Sequence, residues 1–174
     1  TVYEGSRRNS LHEGITHLTL DVTDESSCTK AVREIISREG RIDILINCAG
    51  IVTSNKTFDK QTADEIVRTM NINTIAPMFI SRAVLPDMLT RNRGHICTIA
   101  SAGGMISNPK MSVYAASKWG VIGWSDSVRI ELQEMKSNVH ITTVAPYYIN
   151  TGMFSVCAGM APQNVETVSE LIKK

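Results

Sequence analysis

Two ionisable side chains, Tyr114 and Lys118, are spaced four residues apart in the segment Tyr-Ala-Ala-Ser-Lys. On a helix, residues four apart lie on one face, one turn from each other, so the phenol and the ammonium group would be neighbours. A tyrosine with its usual pKa near 10 is a poor general base at neutral pH, and a nearby ammonium group favours the phenolate. Two unit charges about 4 Å apart in an effective dielectric near 20 interact by about 4 kcal/mol, enough to bring a tyrosine pKa to about 7. The pair therefore predicts acid–base chemistry.

The spacing alone is weak evidence, because the same pair also occurs on ordinary solvent-exposed helix faces. Ser101 adds to it, since this residue ends an Ile- and Thr-containing run thirteen residues before Tyr114. Ala-Gly-Gly follows Ser101, and such a turn of small residues lets a hydroxyl point into a cleft that a ligand approaches closely. We interpret the three residues together as a candidate site for an oxygen-containing substrate.

The elements that must position these residues alternate along the chain. Short runs rich in Ile, Val and Thr alternate with amphipathic segments of helix length, which is typical of a parallel sheet covered by helices. The predicted strands are Val2 to Gly5, Ile15 to Leu20, Ile42 to Cys48, His95 to Ala100 and Val139 to Val144. The predicted helices are Glu25 to Glu39, Ala63 to Met70, Thr74 to Arg91 and Ser112 to Met135. The pattern predicts one α/β domain over residues 1–174.

Composition excludes several classes of function. The chain has 174 residues, of which 43% are hydrophobic and 20% charged, as in a single soluble globular domain. Its 18 Lys and Arg against 17 Asp and Glu leave a net charge of +1, so we expect no nucleic-acid partner. We expect no signal peptide and no membrane span, because the termini show no charged-then-apolar pattern and no apolar run is long enough to cross a bilayer. The four cysteines and four histidines have no metal-ligand spacing, and a cytoplasmic location is expected.

Five segments, in order, resemble the short-chain dehydrogenase/reductase family. Ser6-Arg7-Arg8 is similar to the end of the family's second strand, and Leu20-Asp21-Val22 to its adenine-contacting strand end. Asn47-Cys48-Ala49-Gly50 is similar to its Asn-Asn-Ala-Gly signature, and Val144 to Thr151 to the segment that closes over the nicotinamide. Asn73, Ser101, Tyr114 and Lys118 together resemble the family's Asn-Ser-Tyr-Lys tetrad, and Asn71 is the less favoured alternative to Asn73. The spacings of thirteen from Ser101 to Tyr114 and four from Tyr114 to Lys118 are those of the family.

The resemblance implies a Rossmann-like, doubly wound parallel sheet and hydride transfer between a nicotinamide cofactor and an alcohol or carbonyl substrate. It implies that Tyr114 exchanges a proton with the substrate oxygen, which Ser101 binds. Lys118 would lower the tyrosine pKa and hold the nicotinamide ribose, and Asn73 would anchor a water of a proton relay. The implied cofactor-binding residues are Arg7, Arg8, Asp21, Val22, Asn47, Ala49, Gly50, Tyr114, Lys118, Pro146, Ile149 and Thr151.

Finer expectations concern the cofactor, the substrate and the assembly. Arg7 and Arg8 favour NADP over NAD, because a guanidinium pairs with the 2′-phosphate on the ribose of NADP. At this position an acidic residue would instead bind the free 2′-hydroxyl of NAD. The segment Thr151 to Phe154 resembles retinol and hydroxysteroid dehydrogenases, which indicates a hydrophobic small-molecule substrate. Relatives pair through the long helix and the tyrosine-bearing helix, so a homodimer or homotetramer is expected.

The chain also departs from the family pattern. No segment matches Thr-Gly-x-x-x-Gly-x-Gly, so the chain is expected to begin at the family's second strand, N-terminally truncated, without the first strand and the glycine-rich phosphate turn. Strands beside the missing one would have unpaired edges and an exposed apolar face. Cys48 replaces the second Asn of the signature and is expected to be a small core residue, while Tyr147 replaces a glycine and, with Tyr148, is expected to wall an apolar pocket. The alternative function is a truncated, non-catalytic relative that serves as a binding or structural subunit.

Overall fold

The computed structural model describes residues 1–8, 12–149 and 153. Its strands are β1 (Val2–Ser6), β2 (Ile15–Thr19), β3 (Ile44–Asn47), β4 (Gly94–Ile99) and β5 (Val139–Val144). Its α-helices are α1 (Glu25–Glu39), α2 (Ala63–Met70), α3 (Ala76–Thr90) and α4 (Ser112–Glu134). Single 3₁₀ turns cover Phe58–Lys60 and Ala102–Gly104. The α/β fold class is as predicted, and every predicted strand and helix is present with shifts of one or two residues at some ends.

Local signals set the ends of the helix between β2 and β3. The side chain of Asp24 accepts a hydrogen bond from the Ser26 N–H and so satisfies one of the free donors at the start of α1. The helix ends at Gly40, whose φ of +79° lies in the left-handed region that glycine adopts without strain. Cys28 and Val32 bury the inner face of α1 against the sheet and α3.

The two predicted helices that flank Asn73 form one continuous helical run. Thr62 and Glu65 form a reciprocal capping box at the start of α2. A π-helical turn over Asn71–Ile75 then leads directly into α3. The break that the sequence predicted between Met70 and Thr74 is therefore absent. A π turn holds one extra residue per turn and bulges from the helix axis, a feature that is common at functional sites.

All the described strand pairs are parallel and fall into two sheets. One sheet pairs β1 with β2, and the other has the order β3-β4-β5. The core lies between the second sheet and helices α1, α3 and α4, and its most deeply buried side chains include Ile96, Val84, Met88 and Val139. Parallel strands place their carboxyl ends at one edge of the sheet, where the residues that follow β3, β4 and β5 meet.

A slot separates the two sheets. It has a volume of about 930 Å³ and is lined by β1 on one side and β3 on the other. Among the described strands, each of these two is paired along one edge only. Ile44 and Ile46 in β3 are 64% and 62% exposed, so the unpaired edges and exposed apolar residues expected from the sequence are present. Cys48 also lines this slot and is exposed, because no other described segment covers that side of β3. The prediction that Cys48 is a small core residue was therefore wrong.

Candidate active site

The turn after β4 holds Ser101. The backbone of this serine is extended, and its Oγ accepts a hydrogen bond from the Gly103 N–H at 3.1 Å. A Cβ on Gly103 would lie 3.3 Å from Cε1 of Tyr114 and 3.4 Å from Oγ of Ser101. Gly103 therefore lies between the serine hydroxyl and the tyrosine ring, and the absence of its side chain lets these two groups share one small space.

Tyr114 and Lys118 lie on α4, one turn apart, and both are buried, with 7% and 4% of their surface exposed. The Lys118 Nζ donates a hydrogen bond to the carbonyl oxygen of Ile99 at 2.9 Å. It lies 5.8 Å from the centroid of the Tyr114 ring. The pair thus occupies the inner face of the helix at the carboxyl end of β4, which makes the solvent-exposed alternative wrong.

Burial lowers the pKa of the Lys118 ammonium to about 8. Desolvation disfavours the charged form, and the charge of a Cys48 thiolate acts in the opposite direction. At pH 7 the side chain is still mostly protonated, about ten to one, given this pKa. The site therefore holds a buried positive charge beside a phenol, together with an amine that can exchange its proton near neutral pH.

Asn73 lies in the π-helical turn and is 1% exposed. Its Oδ1 accepts from the Ile51 N–H at 2.8 Å, and its Nδ2 donates to the Ile51 carbonyl at 2.9 Å. Nδ2 also donates to Ser117 Oγ at 3.1 Å. The side chain of Asn73 thereby joins the loop after β3 to α4, whereas Asn71 is only half-buried.

The segment after β3 brings Gly50 to the same place. A Cβ on Gly50 would lie 3.6 Å from Lys118 Nζ and 3.7 Å from Asn73 Oδ1. A larger side chain here would fill the space beside the amine and the amide, so the glycine leaves a cradle open to a ligand. A hydroxyl-bearing group such as a ribose fits this donor and acceptor set, and the nicotinamide end of the implied cofactor is compatible with these residues.

The other predicted residues of the Asn-Cys-Ala-Gly segment have different surroundings. Asn47 is buried, and its Nδ2 donates to Ser81 Oγ at 3.0 Å and to Thr98 Oγ1 at 3.2 Å. Its amide side chain is therefore used inside the core. Ala49 is exposed and lines the slot between the sheets.

The predicted adenosine-binding residues lie at the carboxyl ends of β1 and β2. Arg7 and Arg8 are exposed, and Asp21 and Val22 are half-buried. Oδ1 of Asp21 accepts hydrogen bonds from both the backbone N–H and the hydroxyl of Thr23. These bonds, with a smaller contribution from the Arg7 charge, lower the pKa of the Asp21 carboxyl. The Arg7 guanidinium thus lies near a carboxylate whose Oδ1 is already bonded within its own turn.

A small apolar cavity of about 90 Å³ adjoins Ser101 and Tyr114. Its other lining residues are Ala102, Gly103, Ile106, Asn108, Met111, Ala115, Tyr147 and Tyr148. The Tyr147 and Tyr148 rings contact edge to face, with their centroids 4.9 Å apart. The carbonyl of Pro146 accepts from the Ala102 N–H at 2.9 Å, which fixes this segment beside the serine turn. Ile149 is half-buried beyond the tyrosines, and Thr151 lies outside the described residues.

Sequence reasoning did not single out two residues that shape this site. Ser117 and Thr74 lie beside the predicted residues and take part in their contacts. Their residue types are common on helices and in turns, so no spacing distinguishes them. Only the contacts in the folded chain identify them.

Comparison with known proteins gives consistent matches. A family model described as short chain dehydrogenase matches residues 5–159. Retinol dehydrogenase 10-A of Danio rerio is 38% identical over 140 residues, which cover 79% of this chain and 41% of that protein. Dehydrogenase/reductase SDR family member 7B of Mus musculus is 35% identical over 149 residues, covering 86% of this chain and 45% of the relative.

Solved structures share the fold. An NAD+-bound xylitol dehydrogenase superposes with a TM-score of 0.77 at 25% identity, covering 86% of this chain and 58% of that one. ElxO with NADP bound has a TM-score of 0.77 at 27% identity, covering 87% of this chain and 61% of that one.

The chain belongs to the short-chain dehydrogenase family, and the two solved structures named above bind NAD or NADP. It spans about two fifths of the length of these two curated relatives. Within the described ranges, no helix is both long and apolar enough to cross a membrane.

Proposed function

We propose that the protein is an oxidoreductase that transfers a hydride between NADP(H) and an alcohol or carbonyl compound. The observation that carries this proposal is the convergence of Ser101, Tyr114 and Lys118 around Gly103 and Gly50. A hydroxyl, a phenol and a buried amine with a pKa of about 8 are the groups needed to bind an oxygen and exchange its proton. Membership of the short-chain dehydrogenase family supports the same reaction class.

The residues of this chain would handle the proton and the substrate oxygen. In alcohol oxidation, Ser101 Oγ donates a hydrogen bond to the substrate oxygen, and the Tyr114 phenolate accepts the proton of that hydroxyl. Lys118 stabilises the phenolate through its positive charge. A bound nicotinamide would supply the acceptor for the hydride of the alcohol carbon. In carbonyl reduction the tyrosine returns the proton to the oxygen.

The cofactor would be held at two ends of the described site. Lys118 and the open backbone at Gly50 suit the nicotinamide ribose, and Pro146 and Ile149 in the segment after β5 would border the nicotinamide. Thr151, the third residue that the resemblance implies for this segment, lies outside the described residues. Arg7 and Arg8, exposed after β1, suit the 2′-phosphate of NADP better than the free hydroxyl of NAD. Asn47, Ala49 and Val22 line the slot and would border the path between the two ends, with Asp21 at the adenosine end.

A hydrophobic substrate fits the cavity beside the serine and the tyrosine. Ile106, Met111 and the Tyr147–Tyr148 pair present apolar surface to this space. The names of two relatives, retinol dehydrogenase 10-A and 3-ketodihydrosphingosine reductase, refer to lipid alcohols and ketones. These names support, for this chain, an alcohol or ketone that is attached to an apolar group.

We further propose a cytoplasmic homodimer or homotetramer. Val67 on α2 and Trp119 and Ile130 on α4 are apolar and at least half exposed. Symmetric pairing of two copies through these helices would cover the three side chains. Size measurement in solution tests this part of the proposal, and a monomer at micromolar concentration would contradict it.

The second candidate function is the non-catalytic binding subunit that the sequence also allowed. The match to the short-chain dehydrogenase family and the relatives named as dehydrogenases and reductases support the oxidoreductase over this alternative.

Two measurements on the full-length protein separate these candidates. Saturable quenching of Trp119 and Trp124 fluorescence by NADPH supports cofactor binding, and no change beyond optical attenuation supports the non-catalytic subunit. Tyr114→Phe is expected to abolish turnover of hydrophobic alcohols and to leave NADPH binding intact. Tyr3→Phe is the matched control, because the Tyr3 phenol donates to Glu39 outside the site. Full activity in Tyr114→Phe would refute the proposed mechanism.

A further inference from the structure

Ser117 is a fully buried side chain one residue before Lys118, with 0% of its surface exposed. Its hydroxyl donates to the backbone carbonyl of Tyr114 at 2.6 Å and accepts from Asn73 Nδ2 at 3.1 Å. A hydroxyl has one donor and two acceptor positions, so both bonds can form at once. Ser117 therefore connects the helical turn that carries Tyr114 to the side chain of Asn73.

A second hydrogen bond joins the π-helical turn that carries Asn73 to α4. Thr74 Oγ1 donates to the backbone carbonyl of Ser117 at 2.9 Å. A Cβ on Gly120 would lie 3.1 Å from Thr74 Cγ2, so the glycine allows the π-helical turn to approach α4 closely. The backbone of Ser117 is thus fixed independently of its hydroxyl, and removing the hydroxyl tests one hydrogen-bond path with the helices still in contact.

The path continues from Asn73 to the loop after β3. Both polar atoms of the Asn73 amide bond to the backbone of Ile51, which directly follows Gly50. The two hydrogens of Nδ2 are used by the Ile51 carbonyl and by Ser117 Oγ. Without the serine oxygen, one of these hydrogens would lack its acceptor in a buried place, and the amide would no longer be held from the α4 side.

We propose that Ser117 is a positioning residue, whose hydroxyl orients Asn73 and thereby sets the position of Ile51 and the Gly50 cradle relative to Tyr114 and Lys118. Its bearing on catalysis rests on the proposed function. Ser117 acts through Asn73 and touches neither substrate nor cofactor. Its contribution consists in keeping the two sides of the site, α4 and the loop after β3, in one fixed arrangement.

Hydrogen exchange at the Ile51 amide tests the path without cofactor or substrate. In Ser117→Ala, the Ile51 N–H is expected to exchange about fivefold faster, the factor that corresponds to about 1 kcal/mol for one neutral hydrogen bond. Ser125→Ala is the matched control: Ser125 is 1% exposed on the same helix, and its Oγ is without a hydrogen-bond partner in the part of the chain that the structure describes. Equal Ile51 exchange in wild type and Ser117→Ala would overturn the proposal.

A double-mutant cycle in the full-length protein tests the effect on turnover. Ser117→Ala is expected to lower kcat about fivefold with less than a twofold change in KM, while Ser125→Ala leaves kcat unchanged. Because Ser117 acts through Asn73, adding Ser117→Ala to Asn73→Ala should cause no further loss of kcat. Ser117→Thr, which keeps the hydroxyl, should restore part of the activity lost in Ser117→Ala.

The possible outcomes separate this proposal from the proposed function. Additive losses of kcat would mean that Ser117 acts independently of Asn73 and would overturn it. If the wild-type protein turned over no alcohol or carbonyl compound, the proposed function would fail. The Ile51 exchange rates would then still decide whether the Ser117 hydroxyl holds Asn73 in place.

Discussion

Replacement of the buried lysine by methionine should change how the stability of the protein depends on pH. Lys118 is 4% exposed, and burial lowers the pKa of its ammonium from 10.5 to about 8. Methionine keeps an apolar stem of similar length and removes the charge. The difference in unfolding free energy between wild type and Lys118→Met, followed across pH, isolates the contribution of this one titration.

The sign and size follow from proton linkage. Below pH 8 the lysine is protonated in both folded and unfolded chains, and the folded state bears the full cost of burying a charge. Between pH 8 and 10.5 the folded chain has lost the proton and the unfolded chain retains it, so the unfolding free energy rises with pH. The unfolding free energy rises by about 1.4 kcal/mol per pH unit over this window. Burial of the charged lysine therefore lowers the unfolding free energy by about 3 kcal/mol at pH 7, and this cost is absent above pH 10.5.

Urea unfolding of wild type and Lys118→Met at several values from pH 7 to pH 10.5 provides the assay. Wild type should gain about 3 kcal/mol relative to the variant across this range. Lys30→Met is the matched control, because Lys30 is exposed on α1, and its difference from wild type should stay flat. A flat difference for Lys118→Met as well would refute the desolvation reasoning, and with it the inference that this amine can exchange its proton near neutral pH.

Two further predictions concern packing around the site. In urea unfolding, Gly104→Ala should destabilise the protein by about 1–3 kcal/mol, because the new Cβ would lie 2.8 Å from the backbone carbon and oxygen of Lys118. Gly123→Ala should be neutral or stabilising, because the space around Gly123 is open. Equal effects at the two glycines would contradict the close approach to α4. Ile96→Ala should cost about 2–5 kcal/mol, because Ile96 is fully buried, and Ile46→Ala should cost much less, because Ile46 is 62% exposed in the slot. A large loss at Ile46, measured by thermal unfolding, would show that another strand fills the slot in solution.

Local signals account for what was predictable about the fold. The amphipathic pattern predicted the helix Glu25–Glu39 with its observed ends, and the structure shows that an Asp24 cap and Gly40 set these ends within one turn of the chain. Apolar runs of strand length indicated all five strands and the parallel α/β class. Spacing brought Tyr114 and Lys118 to one face of α4, and the resemblance to a known family named Asn73 and Ser101 as their neighbours.

The tertiary structure decided how these side chains are used. Lys118 is buried and its pKa is lowered, the amide of Asn47 is used in the core, and Cys48 is exposed rather than buried. The π turn at Asn73 and its link to Ser117 also depend on segments more than twenty residues apart. Caps and periodicity depend on neighbouring residues and are visible in the sequence. Burial, hydrogen-bond partners and pKa values depend on which distant segments meet, and these are set only when the chain folds.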